Sequence, residues 1–197
     1  MRTFSSRIRQ LADTNYGTLR GAVRVLLGQV EYVLGRTEPY LHPRLQDTHR
    51  LVFVCLGNIN RSAFSEAVAR GQGVHTCSIG LSTTTGHPAF HKAIATAQPL
   101  GLDLASHTAT DLSDYRFRPT DLLLVMEIRH AHQLRAAGYP AASIALLGHW
   151  AAPHRIHLHD PHELSDAYFR TCFSLLQSAV QGLVLDLRAA GSPCIRQ

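Results

Sequence analysis

Val54-Cys55-Leu56-Gly57-Asn58-Ile59-Asn60-Arg61-Ser62 decides what kind of fold this chain can form. Just before it, Leu51-Val52-Phe53-Val54-Cys55 is a short apolar run rich in β-branched residues, the pattern of a buried strand. Just after it, a helical pattern begins near Ser62 and runs over 62–71. The residues between include a Gly and an Asn, so the chain can turn sharply there. Such a loop aims backbone N–H groups inward at a helix N-terminus. Orphan amides and the helix dipole both favour an anion at that point. In open α/β sheets, ligands bind beyond the carboxyl ends of the strands. Cys55 stands at such an end.

Three further apolar runs follow: CSIGLS at 77–82, DLLLVM at 121–126 and SIALLG at 143–148. Helical patterns separate or follow them at 88–100, 128–137 and 165–189. Short buried strands alternating with helices predict an α/β fold. The expected architecture has three layers, a four-stranded parallel sheet with helices on both faces, and an N-terminal helical extension. No internal repeat or low-complexity tract interrupts it.

The residue types suit phosphoryl chemistry. A Cys among backbone amides, near a helix start and an Arg, is favoured as thiolate. Arg61 can grip two phosphate oxygens with its planar fork. Ser62 can hydrogen-bond the sulfur and stabilise it as a leaving group. Together they form a nucleophile with an oxyanion clamp. A bare Cys-x5-Arg is weak by itself, and the context of strand, Gly-Asn loop, Ser and helix adds most of its weight; the bland reading makes Cys55 a core thiol and Arg61 a surface residue. Catalysis also needs an acid for the leaving oxygen. Asp160-Pro161 lies in the loop before the last helix and is a candidate, although Asp-Pro is ordinarily a turn.

The chain has 197 residues, 45% hydrophobic and 17% charged, which excludes a mostly disordered protein. Net charge is +5, and residues 1–50 carry eight Arg against four acids. That excess could attract a membrane surface or an acidic partner, or simply be a solvated face. No cluster of basic and aromatic residues indicates nucleic-acid binding. Leu19, Val23, Leu26, Leu27, Val30, Val33 and Leu34 form a helical stripe within 18–35, with Gly35 as the stop. That stripe is expected to pack on the main domain or on a second copy, which would make a homodimer; lying on a membrane is the third option. Residues 36–49, with two prolines and no period, read as a linker, so the expected division is 1–49 and 50–190. The first residues lack the apolar core of a secretory signal, and no run is long enough for a transmembrane segment. Four cysteines without a CxxC pair argue against a zinc ribbon or a disulfide framework. The expected setting is cytoplasmic. His149, His154, His157, His159 and His162 crowd one region without a recognised ligand spacing, so no metal is expected.

From about Arg50 to Leu187 the chain resembles the low-molecular-weight protein tyrosine phosphatase family. The pieces that carry the resemblance occur in family order: VCLGNINRS at 54–62, CSIGLSTTTGHP at 77–88, GLDLASH at 101–107, DLLLVME at 121–127 and HDP at 159–161. The resemblance implies Cys55 as nucleophile, Arg61 as phosphate clamp and Asp160 as general acid and then base. It implies a phosphate loop made of Leu56, Gly57, Asn58, Ile59, Asn60 and Ser62, braced by Ser78 and His107, with no cofactor. It also implies a phosphotyrosine-containing protein as partner, for example a bacterial tyrosine kinase that controls surface-polysaccharide export. Several positions depart from the family. Asn60 stands where many members have a second Cys that traps an oxidised nucleophile. Ala63 replaces a Pro. His162 and Glu163 replace aromatic residues, and Thr83, Thr84 and Thr85 supply none, which puts the usual aromatic wall in doubt. Thioredoxin-linked arsenate reductases carry a downstream cysteine pair that 121–137 lacks. Phosphoarginine phosphatases carry Thr where Ile59 stands, and the bulkier Ile favours an aryl phosphate. A phosphotyrosine-binding regulatory protein with weakened turnover is the rival expectation.

Overall fold

The computed structural model describes residues 4–195. Four strands, β1 (Arg50–Cys55), β2 (Thr76–Gly80), β3 (Asp121–Val125) and β4 (Ile144–Leu146), form one parallel sheet in the order β2-β1-β3-β4. Every residue of β3 and β4, and all of β1 after Arg50, is buried. Such strands read as continuous apolar runs because both faces are covered.

One face carries Leu51, Phe53, Leu122, Leu124 and Ala145. Against it pack α3 (Arg61–Gly71), α4 (His91–Ala97) and the long α6 (Asp166–Ala189). The other face carries Val52, Val54, Leu123, Val125, Ile144 and Leu146, and meets α5 (Ile128–Ala136) through Ala131 and Leu134. The expected three-layer fold is therefore present. Gly80 stands at the end of β2 because a Cβ there would lie 2.9 Å from the carbonyl oxygen of Leu56, at the root of the loop after β1.

Two expectations for the N-terminal segment need correction. The region 36–49 is not a bare linker: 3₁₀ turns at Glu38–Tyr40 and Leu45–Asp47 fold it down, and Tyr40 and Leu41 are buried in the second core layer. Two apolar side chains repay the ordering of the segment, and the prolines only fix its turns. The helix expected at 18–35 forms as α2 (Leu19–Val33), with Thr18 capping it by accepting from Gly21 N–H. Its apolar stripe, however, does not pack on the domain. Gly21 and Gly28 are the buried residues, and Leu19, Val23, Leu26, Leu27, Val30, Val33 and Leu34 are exposed. A helix α1 (Phe4–Tyr16) precedes it and packs on α6 and α2. Its sequence is too polar to announce a helix by periodicity.

α2 settles on its glycines because they permit close approach. A Cβ on Gly21 would lie 2.7 Å from His159 Cδ2, and one on Gly28 would lie 3.1 Å from His157 Cβ. Arg155 ties the same segment to the end of α1, donating to the Asn15 carbonyl at 2.7 Å. The helical extension thus grips residues 154–160 from behind.

Candidate active site

The loop after β1 wraps around the Cys55 sulfur. Asn58 N–H donates to Sγ at 3.2 Å, and Ser62 Oγ lies 3.1 Å from it. Among the described residues, no hydrogen bond takes up the N–H of Leu56, Gly57, Ile59 or Asn60. α3 begins at Arg61, so its first N–H groups also lack intrahelical acceptors. These amides and the start of α3 leave donors that could receive an anion, the arrangement expected from the residue types.

Asn58 holds the loop in shape. Its backbone is left-handed, with φ +52°, which Asn tolerates better than most residues. The side chain is completely buried and bonded at both ends. Nδ2 donates to Ser62 Oγ and to Ser78 Oγ, each at 2.8 Å, and Oδ1 accepts from Thr110 N–H at 2.8 Å. His107 Nε2 donates to the Asn58 carbonyl at 2.7 Å. Ser78 Oγ–H donates to Glu66 Oε2 at 2.6 Å, and Glu66 pairs with Arg70. Asn58, Ser62, Ser78 and His107 therefore meet in one network, the arrangement that the family resemblance implies. Thr110 and Glu66 join it without a sequence signal.

Arg61 is fully buried, which is unusual for its type. Nη1 donates to Glu127 Oε1 at 2.6 Å and to the Leu158 carbonyl at 2.8 Å; Nη2 donates to Asp160 Oδ2 at 2.5 Å. Nε is buried without a partner among the described residues. Burial works against the guanidinium charge, and Asp160 and Glu127 outweigh it, so Arg61 stays cationic. Burial likewise pushes the Glu127 carboxyl up, but Arg61, His130 and His157 hold it far below the usual carboxylate range. Glu127 is a component that sequence reasoning missed. It sits at the end of β3 and fixes one edge of the guanidinium, and its only sequence signal is a charged residue closing an apolar strand.

Asp160 comes to the loop over 99 positions of sequence, on the segment between β4 and α6. Oδ1 accepts from His162 N–H at 3.2 Å. Burial raises the carboxyl's proton affinity, yet Arg61 and that N–H prevail and keep it below the ordinary range. Its side chain is still 30% exposed, so it reaches the pocket mouth.

The rim is not devoid of aromatic groups. Phe90 donates its N–H to the Ile59 carbonyl at 3.0 Å, and its ring meets the His162 ring edge-on, centroids 4.6 Å apart. His162 in turn lies 3.4 Å from Asn60 Nδ2. The other histidines disperse. His157 and His159 lie under α2, and His149 meets His42 and His154 edge-on. Among the described residues no cluster has the makings of a metal site. Of the remaining cysteines, Cys77 belongs to the opposite core layer and Cys194 lies by His75, at the entry side of the sheet. Cys172 shares the layer of Cys55, but burial pushes its thiol up to about 12.

Comparison with known proteins agrees with this geometry. Residues 50–192 match the model of the low molecular weight phosphotyrosine protein phosphatase family. The low molecular weight protein-tyrosine-phosphatase Wzb of Escherichia coli K12 is 30% identical over 144 residues, 72% of this chain and 97% of that one. The crystal structure of Wzb from Escherichia coli K30 in complex with sulphate superposes with a TM-score of 0.63 at 30% identity, covering 71% of this chain and 99% of that one. The Erwinia amylovora tyrosine phosphatase AmsI superposes with a TM-score of 0.62 at 28% identity, covering 71% and 93%.

Proposed function

The chain belongs to the low molecular weight phosphotyrosine protein phosphatase family, and we propose that it hydrolyses phosphotyrosine through a phosphocysteine on Cys55, with Arg61 as clamp and Asp160 as acid and base. The catalytic unit is 50–190, and 1–49 is an appended segment. The observation that carries this reading is the meeting at Arg61: one buried guanidinium touches Asp160 and begins the helix whose preceding loop surrounds the sulfur.

In the first step the Cys55 thiolate attacks phosphorus in line. The phosphorus–oxygen bond to the ring breaks, and Asp160 gives its proton to the departing phenolate oxygen. Arg61 and the amides of residues 56–62 hold the equatorial oxygens. In the second step Asp160 takes a proton from water, the water oxygen attacks phosphorus, and the sulfur–phosphorus bond breaks. Inorganic phosphate and the thiolate result. Asp160 must be protonated for the first step, although Arg61 favours its ionised form. A bound phosphate dianion engages Arg61 and repels the carboxylate, so substrate itself raises the proton affinity of the acid. Ile59 and the Phe90–His162 pair favour an aromatic phosphate ester. The setting is the cytoplasm, and the substrate class is a phosphotyrosine protein such as a tyrosine kinase. Among the described residues, no helix is long and apolar enough to cross a membrane.

The purified chain should release phosphate from p-nitrophenyl phosphate and from a phosphotyrosine peptide, and Cys55→Ser should abolish both. Asp160→Asn should cost about 10²–10⁴-fold in kcat/KM on phenyl phosphate, whose leaving group needs a proton, and much less in kcat/KM on the p-nitrophenyl ester, while kcat falls on both because the same residue activates water in the second step. Phosphopeptide binding without any phosphate release would overturn the proposal in favour of a regulatory binding protein.

A further inference from the structure

α2 is seated in reverse for a surface helix, which ordinarily turns its apolar face to the core. The face toward the domain is built on Gly21 and Gly28. The opposite face carries Leu19, Val23, Leu26, Val30 and Val33, which are 73, 54, 64, 44 and 82% exposed. Leu27 and Leu34 widen the strip on one side and are also exposed. These seven side chains offer roughly 800 Å² of largely apolar surface. That exceeds the largest patch a monomer usually leaves open, and a partner that covered all of it would bury about one partner's share of a standard stable interface.

The spacing identifies the occupant. The five residues of the strip follow one another alternately four and three apart. That is the 3.5-residue period of a seam made to meet another helix. In heptad terms Val23 and Val30 fall at a, and Leu19, Leu26 and Val33 at d. β-Branched residues at a with Leu at d favour a two-stranded pair. Gly21 and Gly28 then fall at f, the position pointing directly away from the seam, which is where the domain sits. The flanking positions carry no clash: Ala22 would face Leu27 of the second helix, and Gln29 would face Leu34, so like charges do not meet. A lipid surface fits less well. An interfacial helix needs its basic face opposite the apolar one, and here that side is glycine pressed on His157 and His159.

We propose that α2 is a dimerisation seam that pairs with α2 of a second copy of this chain. Sedimentation or light scattering on the full chain at about 100 µM, well above the micromolar range of ordinary interfaces, should give twice the chain mass. Leu26→Glu and Val30→Glu should each return it to the single-chain mass. Both positions are exposed on the side of α2 opposite Gly21 and Gly28, so p-nitrophenyl phosphate turnover should change less than about twofold, which also shows that the variants fold. A wild-type monomer at that concentration overturns the proposal, and so does a dimer indifferent to both substitutions. Co-sedimentation with phosphatidylserine vesicles by a chain that stays monomeric in solution overturns it in favour of a membrane surface.

Discussion

Replacing Asn58 by Ala should be among the most damaging single changes outside the catalytic residues. Three buried side-chain hydrogen bonds, each 2.8 Å long, disappear together. They are not equally costly. Ser78 keeps its bond to Glu66, and Ser62 keeps its contact with the sulfur, so each loses about 1 kcal/mol. The Thr110 N–H loses the acceptor that satisfies it, which costs about 1–3 kcal/mol. Alanine at φ +52° adds about 1 kcal/mol of backbone strain. The total is about 4–6 kcal/mol, against a typical domain stability of about 5–15 kcal/mol. Urea unfolding at constant pH reads this directly if the slope is unchanged. Asn58→Gly is the internal control. It loses the same three bonds but not the backbone strain, so it should be about 1 kcal/mol less damaging than Ala. Where the folded fraction is measurable, kcat should fall about 10²-fold in both variants, because the amide aimed at Cys55 shifts with the loop. A loss below about 1 kcal/mol for Asn58→Ala would refute the view that this side chain holds the loop. Equal losses for Ala and Gly would refute the strain term.

Stability should also fall on mild acidification. Burial holds His130 near a pKa of about 3 and His157 near about 4 in the fold, against 6.5 when unfolded. The stabilisation from keeping them neutral is therefore complete above pH 6.5 and is lost as pH falls toward those folded values. Each should cost up to about 2 kcal/mol by pH 5, so the urea midpoint should drop between pH 7 and 5; a flat midpoint would show that neither is buried neutral. Peroxide should inactivate the chain largely beyond rescue by dithiothreitol, since Asn60 offers Cys55 no partner thiol and the Cys172 thiol resists ionisation. Asn60→Cys should restore recovery; full recovery of the wild type would contradict this. Gly28→Leu should push α2 away from His157 and lower kcat/KM on phenyl phosphate more than on p-nitrophenyl phosphate, because the disturbed segment carries the acid. Equal loss on both esters would mean that the helix does not position Asp160.

The parts of the site that could be read from sequence are those that sit together in it. Cys55, Arg61 and Ser62 lie within one strand–loop–helix turn, so their spacing reports their geometry. Asp160 is a bare Asp-Pro until the family pattern places it. Glu127 and Glu66 escape because their partners, Arg61 and Ser78, come to them through sheet and helix packing. The strands were legible because both faces are buried and every residue had to be apolar. α2 shows the limit of periodicity. The pattern finds the stripe but cannot say which way it faces; the two glycines seven positions apart on the other side were the available signal. In 36–49 the prolines suggested a loose connection, while Tyr40 and Leu41 supplied the anchor.

The contact between α2 and residues 154–160 bears on how this protein should be produced for kinetics. A recombinant fragment trimmed to start at Arg50 would uncover His157 and His159, strip Tyr40 and Leu41 from the sheet, and free Arg155 from Asn15. Both imidazoles, whose protonation burial disfavours, would meet water one and three positions from Asp160. The pH–rate profile of such a fragment would then describe a different electrostatic environment from that of the whole chain.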